Sequence, residues 1–379
     1  MLPFTYALRN LWRRRGRTIA TLGGIALTTL LVVVMTAFAS GLERAGGNST
    51  RDDVVVLVGM SSETDLVRSV VARGNAEAGA AAAPGVLTRD GVRAASVELH
   101  IATRAGNSIG LLRGVTPSVY LVRPQVTAIE GREPRAPFEL MVGRLAATRM
   151  GLPEEAFAVG RTIRLEHHDW TISGRFAAPD TVFEAEMWGR LEDVMLATKR
   201  EDVSCVALRL TDATKAPAVK LFAAKRLDLE LVAMSERDLM AALESGLVPI
   251  IALARWMAIL VLIAGGFACA NTMFAAVLAR TRELATLRAI GYSPVALGFA
   301  LLQEAVLVAF LGGAAGIFLA LAIGDLSIRF PMGAFTLEPD LPRRALGLGS
   351  ALVAGFAGGL VPAWRAVRVP LVEALQGKV

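Results

Sequence analysis

The chain has 379 residues, 54% of them apolar, and a mean hydropathy of +0.51, which is too apolar for an ordinary soluble globular protein. Its net charge of +6 and pI of about 9.8 are typical of nucleic-acid-binding proteins. The densest arginine clusters adjoin long apolar runs, however, so we expect no nucleic-acid partner. Cys205 lies in a polar region and Cys269 in an apolar run, so the sequence predicts neither a disulfide nor a zinc site.

Four apolar stretches are long enough to cross a lipid bilayer. A spanning helix needs about 20 mostly apolar residues, because lipid offers the backbone no hydrogen bonds. The region between the first two stretches is long and mixed in composition, so we expect a folded domain there. The predicted segments are an N-terminal segment (1–17), span 1 (18–42), the inserted domain (43–248), span 2 (249–279), a link (280–294), span 3 (295–324), a short loop (325–343), span 4 (344–364) and a tail (365–379).

Basic residues near the span ends set the expected orientation, because cytoplasmic segments are enriched in lysine and arginine. One side of the membrane would receive Arg9, Arg13, Arg14, Arg15, Arg17, Arg280, Arg282, Arg288, Arg365, Arg368 and Lys378. The other short loop offers only Arg329, Arg343 and Arg344. Both termini are therefore predicted to be cytoplasmic and the inserted domain extracytoplasmic. Span 1 also imitates a signal peptide with a cleavage site at 37–39, but its apolar run is longer than a signal core, so we expect it to be retained.

The fold class predicted is an α-helical membrane protein with four transmembrane helices and a mixed α/β extracytoplasmic domain inserted between helices 1 and 2. Apolar or alternating runs predict strands at 53–60, 97–103, 162–167, 170–172 and 227–234. A helix is predicted at 217–226, a mobile low-complexity connection at 77–84, and at 236–247 a helix that continues into span 2. The three histidines lack catalytic or metal-ligand spacing, so we expect no catalytic, cofactor or metal residues.

The link between spans 2 and 3 carries the clearest functional signal. It predicts a short amphipathic helix with an apolar side, a charged side and a terminating glycine, formed by Leu284, Leu287 and Ile290, by Arg282, Glu283 and Arg288, and by Gly291. Such a helix can rest in the headgroup region or dock in a groove on a cytoplasmic partner. The pattern alone leaves both open.

Spans 3 and 4 contain two further features. Small residues that let helices approach closely recur at Gly312, Gly316, Ala320, Gly324, Gly355 and Gly359. We favour packing within the chain for most of them, with a subunit interface as the alternative. Glu304 lies about 15 Å inside span 3 at the rise of an α-helix. An ionisable side chain is costly there, so we expect interhelical hydrogen bonding, with a proton-relay role as the alternative.

Several strings together resemble the permeases of MacB-like and FtsX-like ABC transporters. The resemblance covers nearly the whole chain, and its order and topology are more specific than any one string. The strings are the start at 7–15, the stretch from Gly131-Arg132 through 142–146 to 160–163, RELATLRAIGYSP at 282–294, Gln303-Glu304 followed by the glycine-rich run 311–316, and the tail 362–375.

The resemblance implies a MacB-like periplasmic core domain at 43–248, an amphipathic helix before span 1, and a coupling helix at 280–294 seated on a cytoplasmic ATPase. It also implies an inner-membrane location in contact with lipid, a homodimer or heterodimer of permeases, and export of cargo by mechanotransmission. A periplasmic adaptor is left open. The sequence has no Gly-x4-Gly-Lys-Ser/Thr phosphate loop, so we expect ATP and magnesium to bind a separate ATPase subunit, and this chain to bind no cofactor and be no enzyme.

Two other functions are kept in view. An FtsX-like signalling or scaffold subunit would regulate an extracytoplasmic enzyme without transport. A proton-driven carrier would use Glu304, although four spans are few for such a carrier and no inverted repeat is visible. The cargo is not indicated by the sequence.

Overall fold

A computed structural model describes residues 15–60, 66–105, 108–323, 326–330 and 333–368. The chain forms two compact units, which are described separately. The helical unit contains the described residues of 1–40, 250–326 and 337–379, and the sheet unit contains those of 41–249 and 327–336.

The helices, numbered in chain order, are α1 (Arg15–Gly47), α2 (Arg73–Ala82), α3 (Val119–Val122), α4 (Ala146–Met150), α5 (Leu191–Thr198), α6 (Ala216–Lys225), α7 (Glu236–Glu244), α8 (Val248–Leu278), α9 (Thr281–Ala289), α10 (Pro294–Ala322) and α11 (Leu341–Arg368). The strands are β1 (Val54–Gly59), β2 (Val71–Ala72), β3 (Thr88–Arg89), β4 (Val92–Arg93), β5 (Ala95–Ala105), β6 (Ser108–Val115), β7 (Thr127–Gly131), β8 (Glu139–Gly143), β9 (Thr162–Leu165), β10 (His168–Ala177), β11 (Glu186–Arg190), β12 (Asp202–Val203), β13 (Cys205–Arg209), β14 (Leu231–Ser235), β15 (Leu326–Phe330) and β16 (Gly333–Leu337).

Helices α1, α8, α10 and α11 are long and apolar enough to cross a membrane. The four predicted spans are therefore present as helices, with shifted ends: α1 continues to Gly47, α10 ends at Ala322, and α11 runs from Leu341 to Arg368. The helix predicted at 236–247 does not continue into span 2, because α7 ends at Glu244 and α8 begins at Val248. Most of the predicted N-terminal segment (1–17) and most of the tail (365–379) lie outside the described residues.

The region predicted as a short loop at 325–343 contains a hairpin, in which β15 pairs with β16. Residues 327–336 of this hairpin belong to the sheet unit. Phe330 packs against the aromatic cluster of this unit, which contains Phe176, Phe183 and Trp188. Ala334 is buried with Leu145 and Ala185. The apolar residues of the hairpin join that core. The basic residues near the span ends, which predict orientation, contain no information about this packing.

The sheet unit is built on a ten-stranded mixed sheet in the order β14-β1-β13-β5-β6-β11-β8-β10-β7, with β9 paired to β10. The β6–β11 and β8–β10 pairs are parallel and the other neighbours along this order are antiparallel. Alternate residues of a strand face opposite sides, so Leu99 and Leu112 enter a large apolar core on one face. Glu98 and Arg113, one residue away from each, lie on the other face. The predicted mixed α/β domain is confirmed at this level.

Two further predictions about the sheet unit need correction. The strand predicted at 227–234 begins only at Leu231, because residues 227–229 form a short 3-10 helix. The low-complexity stretch 77–84 is not a mobile connection, since α2 runs from Arg73 to Ala82. Ala76 is completely buried, and Gly79 would bring an added Cβ to 2.8 Å from Leu231. Alanine has the highest helix propensity, and small side chains let α2 lie close against the sheet. The composition that suggested low complexity is therefore the one that close packing requires.

Steric constraints explain two glycines in the stretch 131–163, one of the stretches on which the family resemblance rests. Gly131 has a φ of +70°, and its backbone closely approaches that of Ser173. Gly143 lies directly against the backbone of Glu184, where no Cβ fits. Glycine alone tolerates both conditions without strain. These positions fix the ends of β7 and β8 beside their neighbours.

Candidate functional site

Helix α9 has defined ends. It begins after Arg280, and its end is closed by two reversed hydrogen bonds, from the Gly291 amide to Arg288 (3.0 Å) and from the Tyr292 amide to Leu287 (3.1 Å). This is the Schellman arrangement, which needs a residue of positive φ after the last turn. Gly291 supplies it, with a φ of +108°. The next helix starts at once, because the Ser293 hydroxyl accepts the Ala296 amide (3.3 Å) as the N-cap of α10.

One side of α9 is buried against the helices around it. Leu284 and Ala285 are 8% and 2% exposed. Leu284 belongs to a cluster with Val277 of α8, Leu297 and Leu301 of α10 and Ala363 of α11, and Leu287 packs at its margin. The corner between α8 and α10 is therefore a packed element and not a free loop.

The other side of α9 is open. Arg282 and Glu283 are exposed, and Arg288 is half-buried. Ile290 is 72% exposed although the periodicity put it with Leu284 and Leu287. Ile290 has left the helix, since it is the residue that caps α9. An exposed isoleucine beside two exposed charges is a surface suited to contact with another molecule.

A buried ion pair anchors this corner to α10. Arg280, just before α9, donates to both carboxylate oxygens of Glu304, at 2.9 and 3.2 Å. The two side chains are 4% and 8% exposed. Glu304 of α10 is thus hydrogen-bonded to the segment between α8 and α9, and its partner Arg280 is one of the basic residues on which the predicted orientation rests. Bidentate geometry of this kind is directional as well as strong.

A small cavity of about 20 Å³ adjoins Glu304 and is lined by polar residues of two further helices, Thr18 and Thr21 of α1 and Thr272 of α8. A space of this size holds about one water molecule. Helices α1, α8 and α10 therefore meet around this cavity, whose lining combines the three threonines and Glu304 with apolar side chains such as Met273 and Val308.

Most of the small residues noted in spans 3 and 4 pack against other helices of the helical unit. An added Cβ at Gly312 would come within 2.8 Å of Ile25, and one at Gly316 within 2.8 Å of Thr29, so these glycines set the approach of α10 to α1. Ala320 is 3% exposed on the same helix. On α11, an added Cβ at Gly359 would come within 2.6 Å of Ala305, and Gly355 is in closer contact with Ala309. Gly324 lies outside the described residues.

The sheet unit contains a second polar feature, a buried charge cluster on one sheet face. Glu98 accepts from Arg113 (2.8 Å) and lies 3.1 Å from His100 Nε2, while Arg113 also donates to Glu186 (2.7 Å). The cluster is completed by Arg123, Glu236 and Cys205, and every member is at most 3% exposed. Strand register explains it, because Cys205 is paired with Glu98 and Arg113 with His100. Sequence reasoning missed the cluster, since its members are spread over 139 positions with no shared motif.

Electrostatics inside the cluster follow from burial and the guanidinium charges. Burial raises the pKa of Glu98, but Arg113 and the hydrogen bond from His100 outweigh it, so the net pKa lies far below its usual range. Burial, and then Arg113, lower the pKa of His100. Burial raises the pKa of the Cys205 thiol. The cluster therefore holds an ionised Glu98, a neutral imidazole and a protonated thiol at neutral pH.

Glu98, His100 and Cys205 have ligand atoms within 4.8 Å of one another and are residue types that bind zinc. They do not fit a divalent cation, because arginines already surround the carboxylate. The Glu98 oxygen nearest His100 accepts from Arg113, and Arg123 Nε lies 4.0 Å from its other oxygen. The carboxylate is neutralised by arginine.

Comparison with known proteins places these features in a family. The "Macrolide export ATP-binding/permease protein MacB 1" of Aeromonas hydrophila is 38% identical over 112 residues, which are 30% of this chain and 17% of that protein. The protein "MacB" of Bordetella avium is 34% identical over 119 residues, 31% of this chain and 18% of that protein. The chain thus matches less than a fifth of the length of these relatives.

The solved periplasmic region of MacB from Actinobacillus actinomycetemcomitans aligns with 52% of this chain and 94% of its own, at 8% identity and a TM-score of 0.37. Two family models match in sequence. The MacB-like periplasmic core domain matches residues 18–221, and the FtsX-like permease C-terminal model matches residues 256–371. The first alone covers more than half of the chain. The chain therefore belongs to the family of FtsX-like ABC transporter permeases that carry a MacB-like periplasmic core domain.

Proposed function

We propose that this chain is the permease subunit of an ABC-type export or mechanotransmission complex. In this proposal a separate cytoplasmic ATPase binds ATP and magnesium, and its movement is relayed through the helical unit to the sheet unit, which pushes cargo onward outside the inner membrane. Family membership and the four membrane-length helices support the permease part. The basic residues beside the helix ends support cytoplasmic termini and an extracytoplasmic sheet unit.

The observation that carries the proposal is the anchored corner at α9. A helix that receives force from a partner must expose a surface to that partner and must be firmly attached to the neighbouring helices. Arg282, Glu283 and Ile290 form the exposed surface. The Arg280–Glu304 pair and the buried Leu284 attach α9 to α10. A load on α9 therefore reaches α10 directly, which is the behaviour of a coupling helix.

Partners follow from the same proposal. The permease pairs with a second copy or with a sister permease, and its lipid-facing helix sides contact the membrane. A periplasmic adaptor is a further partner to be sought. Cargo binding is assigned to no residue.

Glu304 bears on the proton-carrier alternative. A proton-relay carboxylate must be accessible for proton exchange during transport, whereas both carboxylate oxygens of the buried Glu304 accept hydrogen bonds from Arg280. The pair thus favours a structural role for Glu304. The signalling alternative shares the α9 coupling and differs only in what the sheet unit acts on outside the membrane.

Charge reversal on α9 tests the proposal. Glu283→Lys should weaken the contact with the ATPase, so that hydrolysis no longer depends on the permease, while membrane insertion is unchanged. Glu338→Lys, an exposed acid on the loop between α10 and α11, is the matched control and should behave as wild type. The measurement is ATP hydrolysis by the reconstituted complex together with export. Equal coupling in both variants would remove α9 as the docking element.

A further inference from the structure

The buried charge cluster of the sheet unit is also the place where chain segments leading to membrane helices are attached. Glu236 is the first residue of α7, which precedes α8, and it is completely buried. Its Oε1 accepts from Arg123, and its Oε2 accepts the Arg51 amide at 3.0 Å. One carboxylate therefore holds two segments that are 185 positions apart, one that follows α1 and one that leads to α8.

The segment after α1 has further attachments within the sheet unit. Ser49, completely buried, accepts the Val182 amide at 2.8 Å. The Arg51 guanidinium donates to Asp53 (2.8 and 2.9 Å), and Asp53 also accepts from Arg209 of β13 (3.0 Å). Residues 49–53 are thereby joined to the sheet by hydrogen bonds instead of forming a loose connection.

The hairpin between α10 and α11 reaches the same face. Phe330 packs against the aromatic cluster that contains Phe176, Phe183 and Trp188. Phe183 of this cluster contacts the buried charges, since the Arg123 and Arg113 guanidinium carbons are 4.5 and 5.2 Å from its ring centroid. Met240 of α7 belongs to the aromatic cluster as well.

We propose that this sheet face is a force-bearing junction, in which Glu236 and Arg123 are positioning residues that fasten to the sheet the segments continuing into α1 and α8. The hairpin between α10 and α11 is fastened beside them. In this proposal the junction transmits movement of these segments to the sheet. This inference rests on the proposed function for the origin of the movement, but the fastening itself can be tested without ATP.

A buried ion pair suits this role better than apolar packing alone. Charge-assisted hydrogen bonds fix direction as well as distance. Removal of one partner leaves the other buried and uncompensated, so the attachment resists partial opening. Apolar contacts, in contrast, tolerate sliding and repacking.

Hydrogen–deuterium exchange on the purified full chain tests the fastening. In wild type, the Arg51 and Val182 amides should exchange as slowly as those of β1 and β13, because both are hydrogen-bonded to buried side chains. Glu236→Gln should speed exchange of the Arg51 amide and of the start of α7 by about tenfold or more, because a hydrogen bond to a charged group is lost. Exchange in β8 and β10 should be unchanged. Asp228→Asn, which breaks an exposed ion pair with Arg226 in the same unit, is the control and should change neither region.

Ser49→Ala is the second variant, in case Glu236→Gln does not fold. It removes only the hydroxyl that accepts the Val182 amide and should speed exchange there. Fast exchange of the Arg51 and Val182 amides in wild type, or exchange unaltered by both variants, would overturn the junction.

A second readout separates this inference from the proposed function. A donor fluorophore at Lys225→Cys, an exposed position in the sheet unit, and acceptor-labelled lipid headgroups report the ATP-dependent distance between the sheet unit and the membrane in the reconstituted complex. Glu236→Gln should lose the ATP-dependent change that Asp228→Asn keeps. Slow exchange at the junction with no ATP-dependent change in wild type would contradict the proposed function and leave the fastening supported. A full ATP-dependent change in Glu236→Gln would contradict the force-bearing role.

Discussion

At the residue scale, the Arg280–Glu304 pair determines how firmly the α9 corner is held. Glu304→Gln leaves the buried guanidinium without a charged partner, which typically costs about 3–5 kcal/mol. Thermal unfolding in detergent should therefore move to clearly lower temperature. The double variant Arg280→Met with Glu304→Leu is the control, because apolar replacement of a buried pair is often neutral. A Glu304→Gln protein that keeps wild-type stability but loses gradient-driven transport would instead favour the proton-carrier alternative.

Glu139, in the sheet unit, gives a prediction in pH. Hydrogen bonds from Arg132 (2.7 and 2.5 Å), and from the Arg135 and Ala136 amides, lower its pKa from 4.5 to about 2. The folded state thus binds a proton less readily than the unfolded state, so this stabilisation is present above the ordinary pKa and is lost as pH falls from about 4.5 toward 2. Wild type should exceed Glu139→Gln in unfolding temperature at pH 6, and the difference should shrink through that window. A constant difference would contradict the assignment.

At the element scale, α10 packs on α1 through glycines, and the two helices separate if a side chain is added. Gly316→Ala would place its Cβ within 2.8 Å of Thr29 and against the α1 backbone, so we expect a loss of about 1–3 kcal/mol. Gly349→Ala on α11 is the matched control. It meets nothing within 4 Å and should be neutral or stabilising, since alanine is the better helix former. Similar unfolding temperatures for the two variants would refute the close packing.

The same scale shows what sequence reasoning can reach. Long apolar runs predicted the four membrane-length helices, and the 3.6-residue period with Gly291 predicted α9 and its end, because these signals are local. The α2 helix was missed, since its alanines look like low complexity until the sheet beneath them is known. The partner of Glu304 and the Glu98 cluster were missed for a different reason. Both join residues that are distant in sequence, and no periodicity encodes such pairs.

At the scale of the whole molecule, two units with different chemistry are joined by the main chain at a few points. The helical unit carries the exposed α9 surface at its anchored corner, and the sheet unit carries the buried junction around Glu236. Each has a buried ion pair beside the start of a helix, Arg280–Glu304 before α9 in one and Arg123–Glu236 at the start of α7 in the other. This arrangement suits a protein that transmits movement and requires no reactive group.

In the proposed function, an ATPase acts on this chain through α9. This is tested by purification of the tagged chain from its native host in mild detergent, followed by mass spectrometry of the proteins that accompany it. We expect stoichiometric recovery of an ATPase that contains a phosphate loop, and its loss in Glu283→Lys but not in Glu338→Lys. A well-behaved complex that reproducibly contains no ATPase would rule out the proposed function.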